Sequence, residues 1–213
     1  MNKEIDSKEY SGLRTSSLRQ IPRWLVMALL LVVVVVLIVV SLLWWKQRRE
    51  LKQTMTWLEN TLKANANASY MKEDRESNFV SVNRFGFVPT AFNGCDIEWR
   101  QSETASIIYS SGSKSDPLVK QFSVKVSLSA LSSSRVNVKR RPEDLGDVWD
   151  VELNGANSAP VIQILGGSFG KEGIPVGKSP FVAIPFTDEQ IAKRVSNAFS
   201  HAITLCGGKP DLF

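Results

Sequence analysis

Histidine occurs once and cysteine twice in 213 residues. A zinc site needs three or four Cys, His or carboxylate ligands, so a histidine- or cysteine-rich metal centre has almost no material to form from. Haem and iron–sulfur ligation are disfavoured for the same reason. A large charge imbalance is also missing, with 26 Lys+Arg against 21 Asp+Glu. Residues 1–74 hold 11 basic and 7 acidic residues, and residues 75–213 hold 15 and 14. The C-terminal part therefore lacks the basic excess that nucleic-acid binding draws on. Many serines are present, but none stands in a Gly-x-Ser-x-Gly elbow, and a lone His201 has no evident partner for acid–base work. No constellation supports an enzyme, and no cofactor or metal is expected. The length fits one ordinary domain with an appendage.

What is abundant is concentrated. In residues 24–45 only Ser41 is polar. A helix of that length spans about 33 Å, enough for a hydrocarbon core of about 30 Å. Five consecutive valines at 32–36 are weak helix formers in water, but lipid forces every backbone group to bond internally. Trp24 at one end and Trp44 and Trp45 at the other suit the headgroup level. A cleaved secretory signal would have a shorter apolar region ending in small residues, whereas this run ends Leu-Leu-Trp-Trp-Lys. We expect an uncleaved single-pass anchor in a cell membrane, with the bilayer as the first partner. Its flanks are Arg23, Lys46, Arg48 and Arg49, where positive charge meets anionic lipid. Counted over 20 residues on either side, four basic residues precede the run and five follow it, so the positive-inside rule leaves orientation open.

Residues 46–63 contain no Gly or Pro, and Leu51, Met55, Leu58 and Leu62 recur at helical spacing. This is a stalk helix, packed on its own domain in one reading and dimerising as a homo-oligomer in the other. Residues 64–78 turn polar and read as a linker. From Phe79 the period changes to two: Cys95, Ile97 and Trp99 alternate with charges, as do Phe122, Val124, Val126 and Leu128. Val136 and Val138, then Trp149, Val151 and Leu153, then Ile162 and Ile164, and finally Val182, Ile184 and Phe186 continue the set, with Ile107–Tyr109 a further short candidate. Glycine-, proline- and serine-rich breaks separate them, the longest at 166–180. The chain closes with a helix that starts at a Thr187-Asp-Glu-Gln190 capping box, carries Ile191, Val195, Ala198, Phe199, Ala202 and Leu205 as its apolar stripe, and stops at Gly207-Gly208.

About seven short strands followed by one amphipathic helix resembles the pleckstrin-homology-like superfamily in element order. The ending Phe186-Thr-Asp-Glu-Gln-Ile-Ala-Lys-Arg-Val, then His201-Ala-Ile-Thr-Leu-Cys-Gly-Gly-Lys209, is similar to that of uncharacterised, membrane-anchored bacterial proteins of this type. The resemblance implies an α+β fold: an antiparallel open barrel plugged by the C-terminal helix. A lipocalin-like barrel or a plain α+β sandwich stays open as an alternative. The organisation expected is a polar tail (1–23), an anchor (24–45), a helical stalk and linker (46–78), a barrel domain (79–208) and a short tail (209–213). The implied task is a membrane-anchored binding or scaffolding module with a protein partner. A small structural subunit of a membrane complex, assembled through anchor and stalk, is the alternative.

Three motifs bear on partners. Glu172-Gly-Ile-Pro-Val-Gly177-Lys178-Ser179 nearly spells a P-loop, but Glu172 stands where glycine is needed and Pro180 follows where a helix should start, so no nucleotide is expected. Lys139, Arg140 and Arg141 form the densest basic cluster and are a candidate for anionic ligands. The family would place such residues on its first two strands, and Glu143, Asp144 and Asp147 cancel much of the cluster's field. Cys95 lies on the inward face of a strand and Cys206 at the end of the last helix. If that helix packs over the strand they close a loop of about 110 residues, which would place the domain outside the cytoplasm. Left apart, they would be two small buried hydrophobes.

Overall fold

The structure is a computed structural model that describes residues 23–74, 79–109, 111–141, 147–169, 172–174 and 176–208. Both expected tails lie outside the described residues, apart from the backbone of Arg23, as do Glu143 and Asp144. The chain divides into two compact units, Met1–Trp44 and Trp45–Phe213. In the first, every described residue is helical and every side chain from Trp24 onward is exposed. Ser41, the one polar residue of the apolar run, returns its hydroxyl to the Leu37 carbonyl at 2.8 Å, so that hydroxyl is paired within the helix. The helix is long and apolar enough to cross a membrane.

Among the described residues, the second unit contains the last part of that helix, α1 (Arg23–Asn65), followed by ten strands and a final helix. The strands are β1 (Ser69–Asp74), β2 (Phe79–Asn93), β3 (Asp96–Tyr109), β4 (Leu118–Ser127), β5 (Asn137–Arg140), β6 (Trp149–Asn154), β7 (Ile162–Phe169), β8 (Glu172–Ile174), β9 (Gly177–Ser179) and β10 (Phe181–Phe186). The final helix is α2 (Glu189–Leu205). One antiparallel sheet runs β1-β2-β3-β4-β7, with β8 and β9 both pairing on the far edge of β7, and the second runs β10-β6-β5. The architecture is α+β. The strands lie in two separate sheets, without hydrogen-bonded closure among the described residues.

The stalk stripe enters this fold. Met55, Leu58 and Leu62 are buried at 3%, 0% and 0% exposure, in one core with Trp99, Val124, Leu153 and Phe199. That core is why the compact unit begins at Trp45 and not at Phe79. The expected linker is corrected as well: Ser69–Asp74 pairs with β2 along its whole length. The break expected at 166–180 holds the end of β7 and both short strands. Gly166 takes φ +108° where the β4–β7 register shifts. A Cβ on Gly167 would stand 1.9 Å from the Gln121 carbonyl oxygen, so only glycine lets the strands approach there.

Helix α2 is capped one residue later than the capping box implies. Asp188, not Thr187, is the N-cap, and its carboxylate accepts from the Ile191 N–H at 2.9 Å. The buried face is also rotated, to Ala192, Val195, Ser196, Phe199, Ala202 and Ile203, with Ile191 and Ala198 at its margin. Ser196 reaches that face because its hydroxyl donates to the Val136 carbonyl at 3.1 Å. At the helix end Gly207 adopts φ +83° and the Gly208 N–H bonds back to the Ile203 carbonyl at 2.9 Å, closing the expected left-handed stop.

Candidate functional site

A recess of about 270 Å³ opens where the two sheets part. Its walls are apolar: Phe85 from β2, Phe122 and Val124 from β4, Ile162 and Ile164 from β7, and Val182 from β10. Gln101 and Glu103 come from β3, Ser179 from β9, and Arg141 from just after β5. Gln101 and Glu103 continue the inward phase of Ile97 and Trp99, so β3 changes from apolar to polar along one face. Gln101 is 7% exposed, and its side-chain oxygen accepts from the Trp99 indole N–H at 3.4 Å. Trp99 is held in turn by stacking on Phe87, with centroids 5.5 Å apart.

Arg141 is fixed by a two-pronged ion pair. Its Nε donates to Asp150 Oδ2 at 2.5 Å and a terminal nitrogen donates to Oδ1 at 2.8 Å. Sequence alternation put Asp150 on the solvent side of β6, yet it is 8% exposed. The recess therefore offers a pre-set guanidinium beside a carboxylate and a buried amide, over an apolar floor. That arrangement can orient a small apolar group with a polar end.

The other two members of the basic cluster are also paired: Lys139 with Glu152 at 2.7 Å and Arg140 with Asp147 at 2.8 Å. Each of the three cations thus has its own carboxylate, two of them on the neighbouring strand β6. The near-P-loop segment lies as β8 and β9 on the sheet edge, and strand β10 follows it. Among the described residues, no three of His, Cys, Asp or Glu converge as metal ligands would.

Cys95 and Cys206 form a disulfide, joining the turn between β2 and β3 to the end of α2 across 111 residues. Gln47 donates from its side-chain amide to the Leu205 carbonyl at 2.8 Å, so the same corner also ties α1 to α2. Of the expected anchor flanks, Trp24, Trp44, Trp45, Lys46, Arg48 and Arg49 are all exposed, and the Arg49 guanidinium lies 5.8 Å from the Trp45 ring centroid. His201 is exposed on α2, in an open groove of about 430 Å³ whose other wall includes Trp57 from α1. No family model, curated protein or solved structure matches the chain.

The sequence reading missed Gln101, Glu103 and Asp150. The first two had a signal, because inward positions of a half-buried strand should not turn polar without a partner. Asp150 had none, since its burial depends on how the smaller sheet is covered.

Proposed function

We propose that this chain is a single-pass membrane protein holding a pleckstrin-homology-like binding module beside the bilayer, with the recess between the sheets as its binding site. The observation that carries the anchor is the contrast along α1. Its apolar residues from Trp24 to Trp45 are uncovered by protein, while Met55, Leu58 and Leu62 are in the core. The disulfide favours the oxidising side of the membrane for the module, where the positive-inside count gives no preference. Two antiparallel sheets followed by one packed helix support the pleckstrin-homology-like reading; the extra strands β1, β8 and β9 and the stalk in the core depart from it. The occupant of the recess is a partner protein, contributing an apolar side chain with a polar neighbour and taking backbone hydrogen bonds along the edge of β10. Catalysis is not part of this reading.

The test places a photo-crosslinking side chain at Phe181, 53% exposed at the mouth of the recess, in the full chain within its own membranes. A discrete crosslinked partner that disappears when Phe122→Lys fills the recess supports a binding module. If Phe181 captures nothing, while replacing residues 24–45 by an unrelated apolar helix abolishes assembly, the chain is a complex subunit held by its anchor.

A further inference from the structure

The groove of about 430 Å³ between α1 and α2 is set apart by its charge. On α2, Arg194, Asn197, Ala198 and His201 recur at helical spacing and share one face, beside the face that enters the core. On α1, Gln53 and Trp57 stand four residues apart on the opposite wall. Trp57 is half-buried against the core, and the Arg194 guanidinium lies 5.5 Å from its ring centroid. An aromatic contact of this kind steadies a guanidinium without consuming its N–H donors. Among the described residues Arg194 has no carboxylate or hydrogen-bond partner, unlike the three cations at 139–141. No acid lines the groove, and acids nearby on the same helices are taken: Glu50 faces Lys46 at 3.9 Å and Glu189 holds Lys193 at 2.6 Å.

We infer that this groove seats an acidic side chain of a partner protein, its carboxylate on Arg194 and an adjoining apolar residue on Trp57 and Ala198. Charge complementarity sets the sign, because one unpaired guanidinium beside the amides of Gln53 and Asn197 calls for one anion. Lipid surfaces and nucleic acids draw on several cations in a row, and the groove supplies one. Its open side sets the size of the ligand. A small acid would leave the ion pair in water, where such a contact is worth little, whereas a protein that covers the groove dehydrates it. Tryptophan and arginine are also the side chains on which interface affinity concentrates. The groove shares no residue with the recess between the sheets, so the two sites can be tested apart.

The test pans a displayed random-peptide library on the full chain in phosphatidylcholine nanodiscs and measures the Kd of the synthetic consensus peptide by calorimetry. Selection should enrich Asp or Glu next to an apolar residue. Arg194→Gln should weaken that peptide by about tenfold or more, and Arg194→Lys should not restore it, because an ammonium lacks the planar fork. Replacing the peptide's acid by its amide should cost the same in the wild-type chain and nothing further in Arg194→Gln. His201→Glu should weaken binding more than His201→Gln, by setting a second carboxylate beside the first. Phe122→Lys should leave it unchanged. A selection that yields no binder, peptides without acids, or peptides that bind Arg194→Gln as well as wild type overturn the inference. Loss on Phe122→Lys with none on Arg194→Gln would put the peptide in the recess and fail this inference alone. Full displacement by free propionate makes the groove a small-acid site, and a concentration-dependent dimer that Arg194→Gln dissolves makes the occupant a second copy. Either overturns the foreign partner.

Discussion

Asp150 and Arg141 set the character of the recess, and they are also its energetic weak point. Their side chains are 12% and 30% exposed, so removing one partner leaves the other charge poorly solvated. Asp150→Ala should cost about 2–4 kcal/mol in urea unfolding. Asp147→Ala, which breaks the pair with Arg140 at 65% and 60% exposure, should cost less than about 1 kcal/mol. Equal effects would mean the recess is wetter than its geometry implies. Gly167 is a different kind of residue-scale constraint. Alanine there meets backbone and not a flexible side chain, so Gly167→Ala should destabilise by about 1–3 kcal/mol and shift the amide signals of Gln121 and Phe122.

At the scale of elements, α1 beyond Trp45 behaves as a core helix. Leu58→Ala should cost about 2–5 kcal/mol, and a chain starting at residue 75 should fail to give a cooperative unfolding transition, where one starting at Trp45 gives it. A cooperative transition in the shorter chain would show that the stalk is dispensable. This element was half legible: its stripe is plain in the sequence, but whether a stripe meets a second copy or its own sheet depends on surfaces far along the chain. Strands β4, β6 and β10 were legible because their apolar residues keep one phase, whereas β3 was read as two pieces, since Gln101 and Glu103 interrupt its apolar face. Strand β2 was not legible, because Val80 and Val82 occupy one face and Phe85 and Phe87 the other. An apolar pattern that changes face midway reads as noise until both neighbours are known. Strands β8 and β9 have three residues each, too few to carry a period. The site was less legible than the fold. A Cys95–Cys206 bond was one of the two readings the sequence left open, but Arg141 acquires its meaning from Asp150, whose burial no local pattern shows.

For the whole molecule, the disulfide is the dominant long-range tie. Closing 111 residues should contribute roughly 4–5 kcal/mol through the unfolded chain. Cys95→Ser with Cys206→Ser should lose much of that in denaturant unfolding, with reductant no longer having an effect. Maleimide should label the native protein only after reduction and unfolding. Ready labelling without reductant would remove the argument for an oxidising compartment. The bond also sorts the chain into a ring and a lead. Everything from β3 to α2 is inside a covalent loop, while α1, β1 and β2 lie outside it. Under tension applied through the apolar helix and a partner gripping the ring, the lead can pay out in full, 49 residues from Lys46 to Gly94 or roughly 165 Å, and the ring by no more than its shorter arm between grip and disulfide. Beyond that length the load passes to a sulfur–sulfur bond. A protein pulled between a bilayer and a fixed neighbour would then yield by a set distance and hold, and reductant would turn that tether into a chain that unravels to its end.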